Sequence, residues 1–243
     1  MYYTENIMDT KENKTLYIGD IHGQFEVISA LIKKYDINNT TLIQVGDFGA
    51  ISKDRFGMKV FKCIKRLKNL DKKLRALNNT LIITSGNHDD PFCFSSNWGE
   101  DLFSNIELIK DYTVREISGK SHLFIGGAIS VDREMRRRNG WFFFEDEVVD
   151  FDLDKVPEEI DVLVTHCADA LLIGMTFSNI QHFLDEDLEL FGDLCNEAKK
   201  MRAIREKCKP KDWVFGHYHT HATVEFEESK LHCLDINEIK EIN

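Results

Sequence analysis

Proline is scarce in this sequence, and long apolar or low-complexity stretches are missing from it. The 243 residues include only 3 prolines, with no internal repeat and no segment rich in proline, glycine and serine, which argues against flexible interdomain linkers. No apolar run approaches the roughly 20 residues that a membrane-spanning helix needs, and the polar first 14 residues lack the apolar core of a secretory signal. We therefore expect one domain over residues 1–243, in the cytoplasm and without a membrane partner.

Positive charge is also in deficit, and the cysteines form no close pair. The formal net charge is -11, which argues against general binding of nucleic acid or of an anionic membrane. Two bound divalent ions would place about four positive charges in one cleft, so an anionic substrate stays compatible with this balance. The 6 cysteines have no C-x-x-C spacing, a pattern typical of reduced thiols in a cytoplasmic protein.

Apolar periodicity predicts alternating strands and helices in the first third of the chain. Residues 15–19, 41–45 and 80–84 are typical of buried strands, and residues 24–35 and 58–77 have helical periodicity. This alternation predicts parallel strands joined by helical crossovers.

After residue 105 the predicted strands follow one another closely, which favours a more antiparallel, sheet-rich region. The elements predicted in this part are strands over 106–109, 113–117, 123–129 and 161–165, a helix over 180–208, and strands over 213–215, 222–226 and 231–236. Two sheets packed face to face with helices outside accommodate all of these elements. The predicted fold class is therefore mixed α/β.

Short clusters of oxygen and nitrogen donors stand where the predicted strands end. The candidate donors are Asp20, His22, Asp47, Asn87, His88, Asp89, His166, His217 and His219. Ligands at the carboxyl ends of strands in an α/β sheet face a common crevice, so distant parts of the chain can converge there. Carboxylate, amide and imidazole donors without cysteine suit Mn, Fe, Zn or Ni better than a structural zinc. The set is large enough for two adjacent divalent ions, an arrangement used above all to hydrolyse phosphate esters.

Local spacing supports this convergence. Asp20 and His22 are two residues apart, so an extended backbone directs both side chains to the same side. Glycines directly precede ligands at several of these points, where a side chain would obstruct close approach of the backbone. These glycines are Gly19, Gly46, Gly86 and Gly216.

The order of the clusters resembles the five-part signature of the calcineurin-like metallophosphoesterase superfamily: D-x-H, G-D, G-N-H-D/E, H and G-H-x-H. All five parts are present, in order, over roughly residues 15–222, and the combination is far more specific than any one part. Residues 19–24 are similar to the phosphoprotein phosphatase branch. The resemblance implies a four-layer fold, with two sheets between helices, and a hydroxide held between two metal ions as the nucleophile. Manganese is the first expectation for these ions.

The resemblance also implies a role for each donor. It assigns Asp20, His22 and His219 to the first metal ion, Asn87, His166 and His217 to the second, and Asp47 to both. His88 is not needed as a ligand, and the resemblance makes it the general acid for the leaving alcohol. Asp89 would either orient His88 or cap a helix that starts near Pro91.

The second motif departs from the phosphoprotein phosphatases. Their pattern G-D-x-V-D-R-G supplies an Asp that supports the catalytic His and an Arg that binds phosphate, whereas residues 46–50 here are Gly-Asp-Phe-Gly-Ala. Asp54 and Arg55 follow shortly afterwards, and we consider them as substitutes. A Ser/Thr protein phosphatase therefore does not follow from the first motif alone.

A second source of phosphate contacts is an arginine cluster over residues 133–138. Arginine forks match the geometry of phosphate oxygens, and we take Arg133 as the first candidate for substrate binding, with Arg137 as another. The alternative is a solvated loop whose arginines pair with the acidic residues 145–147.

These observations favour a metal-dependent phosphomonoesterase acting on a phosphorylated small molecule or protein. A phosphodiesterase acting on cyclic nucleotides or nucleic acid stays open, because the same dimetal centre serves both reactions. A non-catalytic metal-binding scaffold is the remaining alternative. The sequence does not indicate an oligomeric state.

Overall fold

Two β-sheets form the centre of the protein. The computed structural model describes residues 14–50, 60–96, 98–140, 146–169 and 180–242. In these residues the strands are β1 Lys14–Ile18, β2 Thr40–Gln44, β3 Thr80–Ile83, β4 Ile106–Leu108, β5 Thr113–Ile117, β6 Lys120–Ile125, β7 Val162–Thr165, β8 Asp212–Phe215, β9 Ala222–Phe226, β10 Ser229–Cys233 and β11 Ile239–Glu241.

Most neighbouring strands are parallel. The first sheet has the order β11-β1-β2-β3-β4, in which β11 is antiparallel to β1 and the other pairs are parallel. The second sheet has the order β5-β6-β7-β8-β10-β9. Its inner strands β6, β7, β8 and β10 are parallel, and its outer strands β5 and β9 are antiparallel to their neighbours.

Helices provide most of the crossovers that parallel pairing requires. They are α1 Glu26–Lys34, α2 Val60–Ala76, α3 Pro91–Ser95, α4 Arg133–Arg138, α5 Ile180–Glu186 and α6 Leu190–Cys208, with a 3-10 turn at Leu153–Lys155. Among the described residues, none of the helices combines the length and apolar character needed to cross a membrane.

Successive residues of each strand face different layers, because side chains alternate across a sheet. Leu16 and Ile18 of β1 pack with the apolar side of α1 and α2. Tyr17, between them, packs with Phe124 and other residues of the second sheet. The outer face of the second sheet packs against Met201 and other residues of α6. The layers therefore run helix, sheet, sheet, helix, and the predicted fold class is confirmed.

The predicted increase in antiparallel pairing after residue 105 is confirmed, because each of the three antiparallel pairs in the described residues contains a strand from that region. The hairpins β5–β6 and β9–β10 are antiparallel, whereas β4 is parallel to β3 and β6 is parallel to β7. β4 follows β3 after a connection that includes α3, which is long enough for a crossover. Proximity in sequence therefore predicts the hairpins but not the direction of β4.

The helix predicted over 180–208 is divided in two around Asp187. Its Oδ1 accepts hydrogen bonds from the backbone N–H groups of Glu189 and Leu190, at 3.1 and 3.2 Å. Its Oδ2 lies 2.6 Å from Nε of Arg133. A short polar side chain that bonds to nearby backbone groups competes with the helical pattern, and it ends α5 here.

The layer between the sheets should make a large contribution to stability. Ile43 is 0% exposed and lies in this layer. We expect Ile43→Ala to lower the free energy of unfolding by about 2–5 kcal/mol, because it leaves a cavity in a packed interior. The measurement is urea-induced unfolding. Val114→Ala, at a residue that is 49% exposed, is the control and should change the value by less than about 0.5 kcal/mol. Equal losses in the two variants would contradict the assigned packing.

Candidate metal centre

The ligand clusters meet where parallel strands of both sheets end. In the first sheet, Asp20, Asp47 and Asn87 come shortly after β1, β2 and β3. In the second sheet, His166 and His217 come directly or almost directly after β7 and β8. The carboxyl ends of parallel strands share an edge of their sheet, and the two edges lie side by side because the sheets pack face to face.

The first group of donors is Asp20, His22 and His219. Oδ2 of the fully buried Asp20 lies 3.2 Å from Nε2 of His219, and a hydrogen bond between these side chains raises the pKa of His219. Nε2 of His219 lies 3.1 Å from Nε2 of His22. With Asp47, these residues bring four donor atoms within 4.8 Å of one another. Two carboxylates and two imidazoles so close together match the donor chemistry of a divalent transition metal.

Asp47 lies between the two groups of donors. Its Oδ1 accepts a hydrogen bond from the backbone N–H of His88 at 2.8 Å and lies 3.3 Å from Nε2 of His166. Its Oδ2 lies 3.7 Å from Nδ1 of His22. Burial opposes ionisation, yet the surrounding imidazoles, His166 first, hold the pKa of Asp47 well below its ordinary value. The two oxygens of one carboxylate therefore face different groups of ligands.

Asn87 and His166 belong to the second group of donors. Hydrogen bonds on the side away from the centre orient both side chains. Nδ1 of His166 lies 2.9 Å from the carbonyl oxygen of Val45, which can only accept, so Nδ1 carries the hydrogen. Nδ2 of Asn87 donates to Oγ of Ser130 at 2.8 Å, and that hydroxyl donates to Glu147 at 2.9 Å. Oδ1 of Asn87 is thereby turned toward Nε2 of His166, 3.1 Å away. Such outer hydrogen bonds fix the orientation of metal ligands.

The charges of the centre fit a cation. Burial disfavours the charged imidazole, but Asp47, through its charge and a hydrogen bond, together with the charge of Asp20, raises the pKa of His166 to about 10. Burial, and then the charge of His166, hold the pKa of His217 well below its ordinary value. Only neutral imidazole binds a metal, so an ion that binds here would displace the proton of His166. The residues present fit a divalent metal ion on chemical grounds.

The backbone at the ligands is held in an uncommon conformation. The φ angle is 45° at His22, 54° at Asp47, 68° at His217 and 49° at His219, in the left-handed region that residues other than glycine rarely adopt. The carbonyl oxygen of Asp47 accepts hydrogen bonds from the N–H groups of Ile21 and His22, at 3.2 and 2.8 Å. The turns after β1 and β2 are therefore locked together, as strained turns at functional sites require.

Glycines that precede ligands leave room for the ligand oxygens. A Cβ at Gly86 would lie 2.3 Å from Oδ1 of Asp47, and a Cβ at Gly216 would lie 2.1 Å from Oδ1 of Asp20. Gly19 differs from this pattern, because its Cβ would meet a backbone carbonyl oxygen at 2.1 Å, in the loop before β11. Gly19 therefore allows the end of β1 to pack closely against that loop.

Asp89 connects two of the motif loops. It accepts hydrogen bonds from four backbone N–H groups, those of Phe48, Gly49, Ala50 and Gly86. Burial, and then the charge of Asp47, raise the pKa of Asp89 to about 6. The helix cap considered for Asp89 belongs instead to Asp90, whose Oδ1 accepts the N–H of Phe92 at 3.1 Å at the start of α3. The contacts of Asp89 thus fix the loop geometry around the ligands.

The two arginines predicted to bind substrate are paired with carboxylates. Arg133 donates to Asp187 and Asp193, each at 2.6 Å. Nη1 of Arg137 lies 3.7 Å from a carboxylate oxygen of Glu134. The alternative pairing with residues 145–147 stays a prediction, because residue 145 lies outside the described residues. Asp54 and Arg55 lie outside the described residues.

A different arginine reaches the centre. Nη2 of Arg136 lies 2.8 Å from Nε2 of His88. The sequence indicates the arginine cluster but does not single out this member, because the inward face depends on the helical phase of α4. That phase is set by where the helix begins, at Arg133.

Comparison with known families and structures agrees with this geometry. The model of a family described as calcineurin-like phosphoesterase matches residues 14–221. No curated protein sequence gives a significant match. The chain is similar in structure to phosphopantetheinyl hydrolase from Mycobacterium tuberculosis, with 11% identity, coverage of 93% of this chain and 91% of that chain, and a TM-score of 0.49.

Other solved structures are also similar. A novel archaeal phosphodiesterase has 16% identity, coverage of 92% of this chain and 84% of that chain, and a TM-score of 0.40. Another structure has 13% identity, coverage of 90% and 89%, and a TM-score of 0.52. At these identities the last likeness supports the fold alone. The family match, which spans all five ligand clusters, carries more: the chain belongs to the calcineurin-like phosphoesterase family and is a metal-dependent hydrolase of phosphate esters.

Proposed function

We propose that the protein is a phosphatase that hydrolyses phosphomonoesters at a dinuclear metal centre, with manganese as the first expectation for both ions. The observation that carries the proposal is the position of Asp47, whose two oxygens face His166 and His22 respectively. A single carboxylate placed between two sets of neutral and anionic donors is the arrangement that a pair of ions requires. Iron, zinc and nickel suit the same donors.

The proposed ligands divide into two sets around this carboxylate. Asp20, His22 and His219 would hold one ion, Asn87, His166 and His217 the other, and Asp47 both. When bound, the two ions supply a strongly nucleophilic water at neutral pH and neutralise charge on the phosphoryl group. The protein holds the ligands in place through the backbone and outer hydrogen bonds described above.

His88 is the proposed general acid. Its backbone N–H is anchored on Oδ1 of Asp47, and its Nε2 lies 3.9 Å from Oδ2 of the same carboxylate. Its side chain is 25% exposed, so it lies beside the ligands and can still be reached by a substrate. A proton donated from this imidazole to the leaving oxygen would stabilise the alcohol as it departs.

The monoester is favoured because residues 19–24 are similar to phosphoprotein phosphatases. The substrate would be a phosphorylated protein or a small molecule such as a nucleotide. We further propose that the whole chain serves this activity as one domain in the cytoplasm, which the cysteine pattern supports.

Loss of a ligand should abolish the activity. We expect Asp47→Ala and His166→Ala to lower metal-dependent hydrolysis of an aryl phosphate by more than about 100-fold, because each removes a ligand from the centre. Metal analysis should find about two equivalents of manganese in the wild-type protein and fewer in the variants. His182→Ala, on α5 with a side chain that is 62% exposed, is the matched control. Less than about one equivalent in the reconstituted wild-type protein would favour the scaffold alternative.

A general acid matters most when the leaving group is poor. We expect His88→Gln to lower kcat for phenyl phosphate by about 10²–10⁴-fold, and to affect 4-nitrophenyl phosphate much less, because nitrophenolate departs without a proton. The variant should keep its metal content. An equal loss on both substrates would show that His88 does not protonate the leaving oxygen.

The class of ester can be measured directly. We expect kcat/KM of the wild-type protein for 4-nitrophenyl phosphate to exceed that for bis(4-nitrophenyl) phosphate by at least about tenfold. Both compounds release the same chromophore and share the same leaving group, so the comparison isolates the second ester bond. A preference for the diester would assign the protein to the phosphodiesterase alternative.

A further inference from the structure

Most arginines of α4 form ion pairs with carboxylates. Arg133 contacts Asp187, between α5 and α6, and Asp193, in the first turn of α6, both at 2.6 Å. Arg137 and Arg138 contact Glu134, at 3.7 and 3.1 Å. The side chains of Arg137 and Arg138 are 39% and 52% exposed, so solvent screens their charges. These three arginines therefore form ion pairs within the protein.

Arg136 has different surroundings. It is 5% exposed, and its Nε lies 2.8 Å from Oδ1 of Asp132. Its Nη2 lies 2.8 Å from Nε2 of His88. Its Nη1 is buried and makes no hydrogen bond to any described residue. A buried charged donor without an acceptor is costly, so this atom points to a missing partner.

The chemistry of that partner follows from the shape of the guanidinium. Asp132 contacts the guanidinium of Arg136 through Nε. The two terminal nitrogens, Nη1 and Nη2, are left on the side of His88. A planar fork of this kind matches two oxygens of a phosphate. The second motif, Gly46 to Ala50, supplies no arginine of its own.

We propose that Arg136 binds the non-bridging oxygens of the substrate's phosphoryl group, an inference that rests on the proposed function. The phosphoryl group would accept hydrogen bonds from Nη1 and Nη2. Asp132 is the positioning residue that keeps the fork in place. His88, next to the fork, would then lie beside the ester oxygen that leaves.

The test uses inorganic phosphate as the probe and the metal-loaded protein. We expect Arg136→Gln to weaken phosphate binding, measured by calorimetry, by about 10- to 100-fold, because a charge-assisted hydrogen bond is lost. Arg136→Lys keeps the charge and the length but not the fork, and it should weaken binding by about 3- to 10-fold. KM for the monoester should rise in parallel, with metal content and thermal stability close to wild type in the lysine variant.

Arg138→Gln is the matched control, because it removes the same charge from the same helix. Its phosphate affinity should stay within about twofold of wild type, since exposed charges interact weakly. Wild-type affinity in both Arg136 variants would overturn the inference, as would an equal loss in Arg138→Gln. In either case metal-dependent hydrolysis by the wild-type protein would persist, whereas failure of the proposed function itself would appear as absence of that hydrolysis.

Discussion

The buried carboxylate of Asp47 is the constraint on which the rest of the site depends. Its side chain faces histidines from three motifs, and its carbonyl oxygen accepts hydrogen bonds from the turn after β1. A negative charge in the interior is costly unless positive groups surround it. The neighbouring imidazoles and the N–H of His88 meet that requirement, and Gly86 leaves room for the carboxylate. One ionised group thus holds the ends of strands from both sheets in one place.

The fold and the position of the candidate ligands could be predicted because both depend on local patterns. Apolar runs mark the strands, and the donors Asp20, Asp47 and His166 follow them within one to three residues. The direction of β4 and the division of the long helix could not be predicted in this way. The direction of β4 depends on which strand it pairs with. The division of the helix depends on Asp187, which pairs with Arg133 from another part of the chain.

Residues that act through the geometry of loops were harder to assign. Asp89 and Asp90 are adjacent and chemically identical, yet one ties two loops together and the other caps α3. The same holds for the arginines of α4, of which Arg136 is turned inward by the helical phase while Arg133 is paired with carboxylates. The sequence shows which chemical groups are available at such positions. Which residue takes which role depends on contacts that form only when distant elements pack together.

Two of the proposed ligands lie after β8, so completion of the centre depends on a part of the chain that is synthesised late. His217 and His219 stand nearly 200 positions after Asp20, their neighbour in space. The amino-terminal strands leave the ribosome first and can pair early. The proposed centre would lack His217 and His219 until β8 has been synthesised and has docked beside β7. The complete set of proposed ligands therefore forms only when distant parts of the chain have folded together.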